Sequence, residues 1–171
     1  MENPLVGNDW HLNVARVMRL RWIIWSLLSI AFFISIFHRV ALTVVSEQIT
    51  GEFQISGAVF GTLVSVYFYM YTIMQIPSGI LADSLGPKLT AGLGIALAGI
   101  GSFVFGLAPT LGLVFFGRFL IGLGVSVVFI AILKIQAEWF RTTEFATVSG
   151  LTAVIGGSGS LVAMVNAYLR I

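Results

Sequence analysis

Five apolar stretches, each long enough to cross a bilayer, leave this chain little choice but to fold as helices inside a membrane. They run over 22–45, 57–82, 88–107, 111–137 and 146–169, and about 20 apolar residues suffice to span about 30 Å of hydrocarbon as a helix. A soluble fold can bury one such helix, but five in succession leave no polar surface to cover them. Composition points the same way, with 58% hydrophobic residues, 9% charged and a mean hydropathy of +1.02, where soluble domains run at about a quarter charged. The expected fold class is an all-α integral membrane protein with five transmembrane helices. The links are short: Ser46 to Ser56, the turn at Asp83, Ala108-Pro109-Thr110 and Glu138 to Phe145. Helices three and four therefore form a hairpin.

Several function classes drop out. A net charge of +2 with no basic cluster argues against nucleic acid as a partner. The absence of cysteine removes disulfides, thiolate nucleophiles and cysteine metal sites together. No Gly-x-Ser-x-Gly, His-Glu-x-x-His or Gly-Lys-Ser/Thr sequence occurs, so no catalytic residue, metal or cofactor is expected. The partners expected are the lipid bilayer and a small solute.

Basic residues near span ends set orientation, because Lys and Arg are retained on the cytoplasmic side. Arg16, Arg19 and Arg21 precede helix 1, Lys88 opens helix 3, and Lys134 and Arg141 flank the exit of helix 4, all on one side. Trp22, Trp25 and Trp139 lie at the same interface, as an aromatic belt would. The amino terminus is thus expected in the cytoplasm of a cell bounded by its inner (plasma) membrane, with Arg170 outside. Residues 1–21 read as a cytoplasmic tail and 22–171 as the transmembrane part. Within the tail, Trp10, Val14, Val17 and Leu20 recur at helical spacing between arginines, the pattern of an interfacial amphipathic segment. The first apolar run is of full span length and lacks a small-residue cleavage site, so it reads as an uncleaved signal anchor.

Charges inside the spans carry the functional signal. Arg39 falls six residues before the outer end of helix 1 and Arg118 seven after the outer start of helix 4, which sets them at similar depth. An arginine at mid-span costs about 2.5 to 3.5 kcal/mol on insertion scales, so it needs a partner or a water-filled cavity. Each could snorkel outward or bond a neighbour's carbonyls. Matching depth favours an anion-attracting cavity, since guanidinium forks hold carboxylate or phosphate at two points. His38 adjoins Arg39 but points about 100° away; it could carry a coupling proton or simply bond a neighbouring helix. Lys134 lies within reach of the cytoplasmic interface.

Helix 2 spaces Tyr67, Tyr71, Gln75 and Ser78 along one face. That stripe either lines a cavity or packs against a neighbour, and the mid-span position of the tyrosines favours the cavity. Pro77 should kink this helix. Glycines crowd the later spans, among them Gly94, Gly101, Gly117, Gly122, Gly124, Gly156 and Gly159, where small residues let helices approach closely in lipid.

The link after helix 2 reads Gly79-Ile-Leu-Ala-Asp83-Ser-Leu-Gly86-Pro-Lys88, and helix 4 carries Gly117-Arg118-Phe-Leu-Ile-Gly122-Leu-Gly124. Together with Glu138-Trp139-Phe140 and Ala146 to Gly150, these resemble the turn signature, fourth-helix arginine motif and following junction of the major facilitator superfamily. The resemblance covers roughly 22–169, as the amino-terminal half of a transporter, nearest the sugar-phosphate-permease-like or organic-anion branch. It implies a partial major-facilitator bundle and alternating access. It also implies that Asp83 and Lys88, with Gly79 and Gly86, latch a cytoplasmic gate, and that Arg118 acts in cavity or proton chemistry. The chain departs from the pattern in three places. Ser84 and Pro87 stand at positions that are often basic. His38-Arg39 and Val125 replace Asp-Arg and an acid in proton-coupled organic-anion members. Gly156-Gly157 lacks the proline of the drug-exporter antiporter signature.

Family members have two six-helix bundles with the site between them. The chain is therefore expected to be a truncated or partial carrier completed by a missing carboxy-terminal half or a second chain. The function expected is secondary active transport, such as symport, of a small polar or anionic organic solute. Arg39, Tyr67, Tyr71, Gln75 and Arg118 would line the cavity, with His38 as the proton-coupling candidate. The alternative is a non-transporting membrane sensor or assembly subunit on the same half-fold.

Overall fold

In the computed structural model, residues 7–169 are described, with the backbone alone for 7–17, 19 and 167. They form seven helices: α1 (Gly7–Val44), α2 (Ser46–Glu52), α3 (Gly57–Ile73), α4 (Gln75–Ser84), α5 (Pro87–Gly106), α6 (Leu111–Trp139) and α7 (Thr142–Tyr168). Among the described residues four are individually long and apolar enough to cross a membrane, and the bent pair α3–α4 is long and apolar enough for a fifth span if it counts as one. The chain is thus a multi-pass helical membrane protein.

Most span limits follow the hydropathy closely, and the differences have local causes. The backbone of α1 continues unbroken from Gly7 through the expected interfacial segment; the side chains of Trp10, Val14, Arg16, Val17 and Arg19 lie outside the described residues, as does Arg170. Helix 2 divides into α3 and α4, bent by 45° at Met74, because Pro77 has no N–H for the Ile73 carbonyl four residues earlier. The link between α1 and α3 contains α2, and α7 begins four residues earlier than its apolar run. Glu144 explains that start: its carboxylate accepts from the Arg141 backbone N–H at 3.0 Å, capping the first turn.

The core is organised around α6, the most buried of the helices. Leu28, Ala91, Val128, Ala131, Ile132 and Ile135 form its inner cluster, and Tyr67, Ile121 and Val125 form a second one beside α3. Close approach of α5 to α6 depends on glycine. A Cβ at Gly94 would lie 2.6 Å from the Gly124 carbonyl oxygen, and one at Gly117 would lie 2.6 Å from the Phe105 nitrogen. Gly156 and Gly159 likewise seat α7 against Phe32 and the Phe33 backbone of α1, so that α1 and α7 run side by side. In contrast, Gly92, Gly99, Gly150 and Gly157 have nothing within 4 Å of an added Cβ and make no such contact.

Candidate functional site

Arg118 is the most consequential side chain in the bundle. It is 1% exposed, and its Nη1 donates to the His38 carbonyl at 3.2 Å. Its guanidinium lies 4.6 Å from the centroid of the Tyr67 ring, a cation–π contact of the kind that strengthens when desolvated. Nε and Nη2 are buried without a hydrogen-bond partner. No carboxylate among the described residues pairs with it. Protein therefore shelters this charge from lipid while leaving two of its donors unused.

Arg39 differs. It is exposed, its guanidinium sits 5.6 Å from the Phe68 ring centroid, and it lines a cavity of about 460 Å³ between α1, α6 and α7. Phe32, Ile36 and Phe129 form apolar walls of that cavity, and Gln136, Ser149, Thr152 and Ser160 supply neutral polar groups. Arg118 is not among the lining residues. The two arginines therefore do not share one pocket as their depth suggested; Arg118 stands behind Tyr67, and Arg39 faces the open space.

The helix 2 stripe needs a similar correction. Tyr67 is 2% exposed, stacks on Tyr71 at 6.3 Å and 9°, and its hydroxyl points to the Ser35 carbonyl at 3.5 Å. Gln75 donates to the Tyr71 carbonyl at 3.4 Å, within its own helix pair. Tyr67 holds Arg118, Tyr71 stacks on Tyr67, and neither they nor Gln75 line the cavity at Arg39; α3 closes directly onto α6 at Gly122, where an added Cβ would meet the Tyr67 backbone. His38 turns the other way from Arg39, as its neighbouring position requires. Its Nε2 is 3.4 Å from Ser102 Oγ, in an apolar groove between α1 and α5. The Ser102 proton goes to the Ala98 carbonyl at 2.8 Å, which leaves the imidazole nitrogen as the donor to Ser102.

At the turn after α4, Gly86 adopts φ +82°, which L side chains rarely do, and Pro87 starts α5 immediately after it. Thr90 ties the turn by donating to the carbonyls of Gly86 at 2.8 Å and Leu81 at 3.0 Å. Asp83 pairs with Lys134 of α6 at 2.5 Å, while Lys88 is exposed. Lys134 also donates to the Ala82 carbonyl at 2.8 Å, a cation at the carbonyl end of α4. Gly79 has open space around it.

Two further groups escaped the sequence. Arg21, read as one of several orienting charges, is 5% exposed and grips Glu144 with both terminal nitrogens at 2.9 and 3.2 Å. Its guanidinium also lies 4.8 Å from the Phe140 ring centroid. Trp25, read as a belt residue, is 7% exposed and donates from Nε1 to Thr152 Oγ1 at 3.0 Å. The rest of that network is the fully buried Gln136, whose amide donates to Thr152 at 2.6 Å and accepts from Ser149 at 2.9 Å. A glutamine inside a span was the available signal.

The chain is 34% identical over 131 residues to the uncharacterized transporter YybO of Bacillus subtilis (strain 168), covering 77% of this chain and 30% of that protein. It is 28% identical over 137 residues to a protein of Escherichia coli (strain K12) named probable galactarate/D-glucarate transporter GarP, covering 77% of this chain and 31% of that protein. The chloroplastic ascorbate transporter of Arabidopsis thaliana is 29% identical over 126 residues, covering 72% of this chain and 23% of that protein. The chain thus spans under a third of the length of these relatives. A family profile matches residues 27–169, and with it the bundle, the arginine-bearing fourth span and the glycine turn place this chain in the Major Facilitator Superfamily.

Proposed function

We propose that the protein forms the amino-terminal half-bundle of a secondary active carrier for a small organic anion, working by alternating access with a further bundle. That bundle would come from more of the same polypeptide or from a second chain, as the greater length of the relatives suggests. The single observation that carries the anion reading is Arg39, a cation on a cavity wall with no carboxylate to neutralise it among the lining residues. A guanidinium held there favours carboxylate or phosphate, and low surrounding dielectric strengthens that preference. Arg118 adds positive potential from behind Tyr67, and its two unused donors become available if α3 shifts. His38 is the candidate for coupling a proton, because its imidazole, 3.4 Å from Ser102 on α5, is a titratable group on the turn of α1 whose backbone carbonyl holds Arg118. Asp83 would latch the cytoplasmic side through Lys134, with Gly79, Gly86 and Lys88 completing the turn. The amino terminus would face the cytoplasm across the inner membrane, consistent with the basic residues at that end. The relatives named for galactarate, glucarate and ascorbate support an organic anion as the solute class.

Uptake of radiolabelled D-glucarate under an imposed ion gradient, into proteoliposomes that hold the chain together with its second bundle, tests this reading. Gradient-driven uptake that falls at least tenfold in Arg39→Gln and Arg118→Met supports it. Binding without flux indicates a non-transporting subunit, and flux indifferent to both arginines contradicts the anion site.

A further inference from the structure

We propose that Gly157 is a specificity-determining residue of the Arg39 cavity, its missing side chain setting how large a solute the arginine can hold. This rests on the anion reading above and adds the limit on size.

The neutral polar groups of the cavity wall are committed to one another. Thr152 donates to the Val148 carbonyl at 3.0 Å, Ser160 to the Gly157 carbonyl at 2.7 Å, and Ser149 to Gln136 Oε1 at 2.9 Å. A hydroxyl has a single proton, so none of the three has one left for an anion's oxygen. Gln136 is fully buried and turns its amide to Thr152 at 2.6 Å. Arg39 is thus left to hold the carboxylate, and the other described walls control space.

That space is made by α7. Where α1 and α6 bring Phe32, Ile36, Phe129 and Leu133 to the cavity, α7 brings no side chain larger than threonine. Its two adjacent glycines differ in kind. Gly156 is buried, and a Cβ there would run into the Phe32 ring, so its smallness serves packing. Gly157 is exposed on the cavity with nothing within 4 Å of an added Cβ. No contact with a described residue accounts for a glycine there, although glycine weakens a helix interior. A side chain at 157 would project into the cavity itself.

Helix register brings this clearance within reach of the arginine. The helices α1 and α7 run parallel, with Arg21 beside Glu144 and Phe33 beside Gly159. A Cβ at Gly159 would lie 2.6 Å from the Phe33 carbonyl oxygen and 3.3 Å from the Phe37 nitrogen, which sets Gly159 level with the turn between them. From that level Arg39 starts about 6 Å toward the carboxyl end and Gly157 about 3 Å toward the amino end, at about 1.5 Å per residue. Helical side chains lean back toward the amino end, so the guanidinium closes much of this gap. A carboxylate on Arg39 therefore extends the rest of its solute past Gly157.

D-glucarate, with six carbons, and malonate, with three, are dianions of different length and serve as probes. The Michaelis constant for D-glucarate uptake and the inhibition constant of malonate against it are measured in proteoliposomes that hold the chain together with its second bundle. Gly157→Ala and Gly157→Leu are compared with the unaltered chain and with Gly150→Leu, an equally open glycine that does not line the cavity. Gly157→Leu should raise the D-glucarate constant by about tenfold or more and leave the malonate constant within about threefold, a span that pocket size alone can supply. Gly157→Ala should fall between, and Gly150→Leu should change neither constant. Thermal melting of both Gly157 variants should hold or rise, because no neighbour is displaced. Equal losses for the two acids would make Gly157 a contact for the second bundle, and unchanged constants would put the limiting wall elsewhere. Either result overturns the size assignment and leaves the anion reading standing. Absence of D-glucarate uptake by the unaltered carrier overturns the anion reading and the size assignment with it.

Discussion

A buried arginine that pairs with one carbonyl and one aromatic ring is a poor choice for stability. Arg118 leaves Nε and Nη2 unpartnered in a site that is 1% exposed, and an apolar side chain of similar length often does as well or better where a charge is incompletely paired. Arg118→Met should therefore leave the thermal stability of the detergent-solubilised bundle unchanged within about 1 kcal/mol or raise it, while D-glucarate uptake is lost. A loss of several kcal/mol would assign the residue to the fold. At this scale the sequence was legible for depth and blind to pairing. The mid-span levels of Arg39 and Arg118 follow from counting residues, but which of them faces space depends on how α3 closes over α6. Arg21 and Trp25 were misread for the same reason. Their partners, Glu144 and Thr152, lie on a helix more than a hundred positions later, and no local rule brings the two together.

Among the elements, the α5–α6 hairpin is the tightest contact and its glycines are not interchangeable. A Cβ at Gly124 would run into the Gly94 carbonyl oxygen and the Ala98 backbone, neither of which can yield without moving a helix; Gly92 has open space on the same α5. Gly124→Ala should destabilise the bundle by about 1–3 kcal/mol through overpacking, whereas Gly92→Ala should be neutral or stabilising by up to about 1 kcal/mol through helix propensity. Melting in detergent checks both, and equal responses would contradict the packing described. Span limits could be read from hydropathy because lipid demands an uninterrupted apolar run. The bend at Met74 was foreseeable from Pro77, three residues on. Helix α2 was not foreseeable, being seven residues of mixed polarity with no periodicity to mark it, and neither was the early start of α7, which depends on the Glu144 cap. The Asp83 turn was recognised as a charged reversal, yet its partner Lys134 comes from the far end of α6, a pairing decided by helix register.

For the whole molecule, the central claim is that Arg39 faces water enclosed by protein and not the acyl chains. These 171 residues contain no cysteine, so a thiol introduced here is the only one within them. A thiol reacts through its thiolate, which forms in water and is suppressed in hydrocarbon. Three single variants in native membranes are compared for labelling by a membrane-impermeant, negatively charged thiol reagent: Arg39→Cys and Ser149→Cys on the cavity, and Leu93→Cys in α5, which is 57% exposed in an almost wholly apolar groove between α4, α5 and α6. The expected result is rapid labelling of the first two, slowed by D-glucarate, with Leu93→Cys inert. Labelling of Arg39→Cys no faster than that of Leu93→Cys would place the arginine against lipid and contradict the cavity on which the carrier function depends.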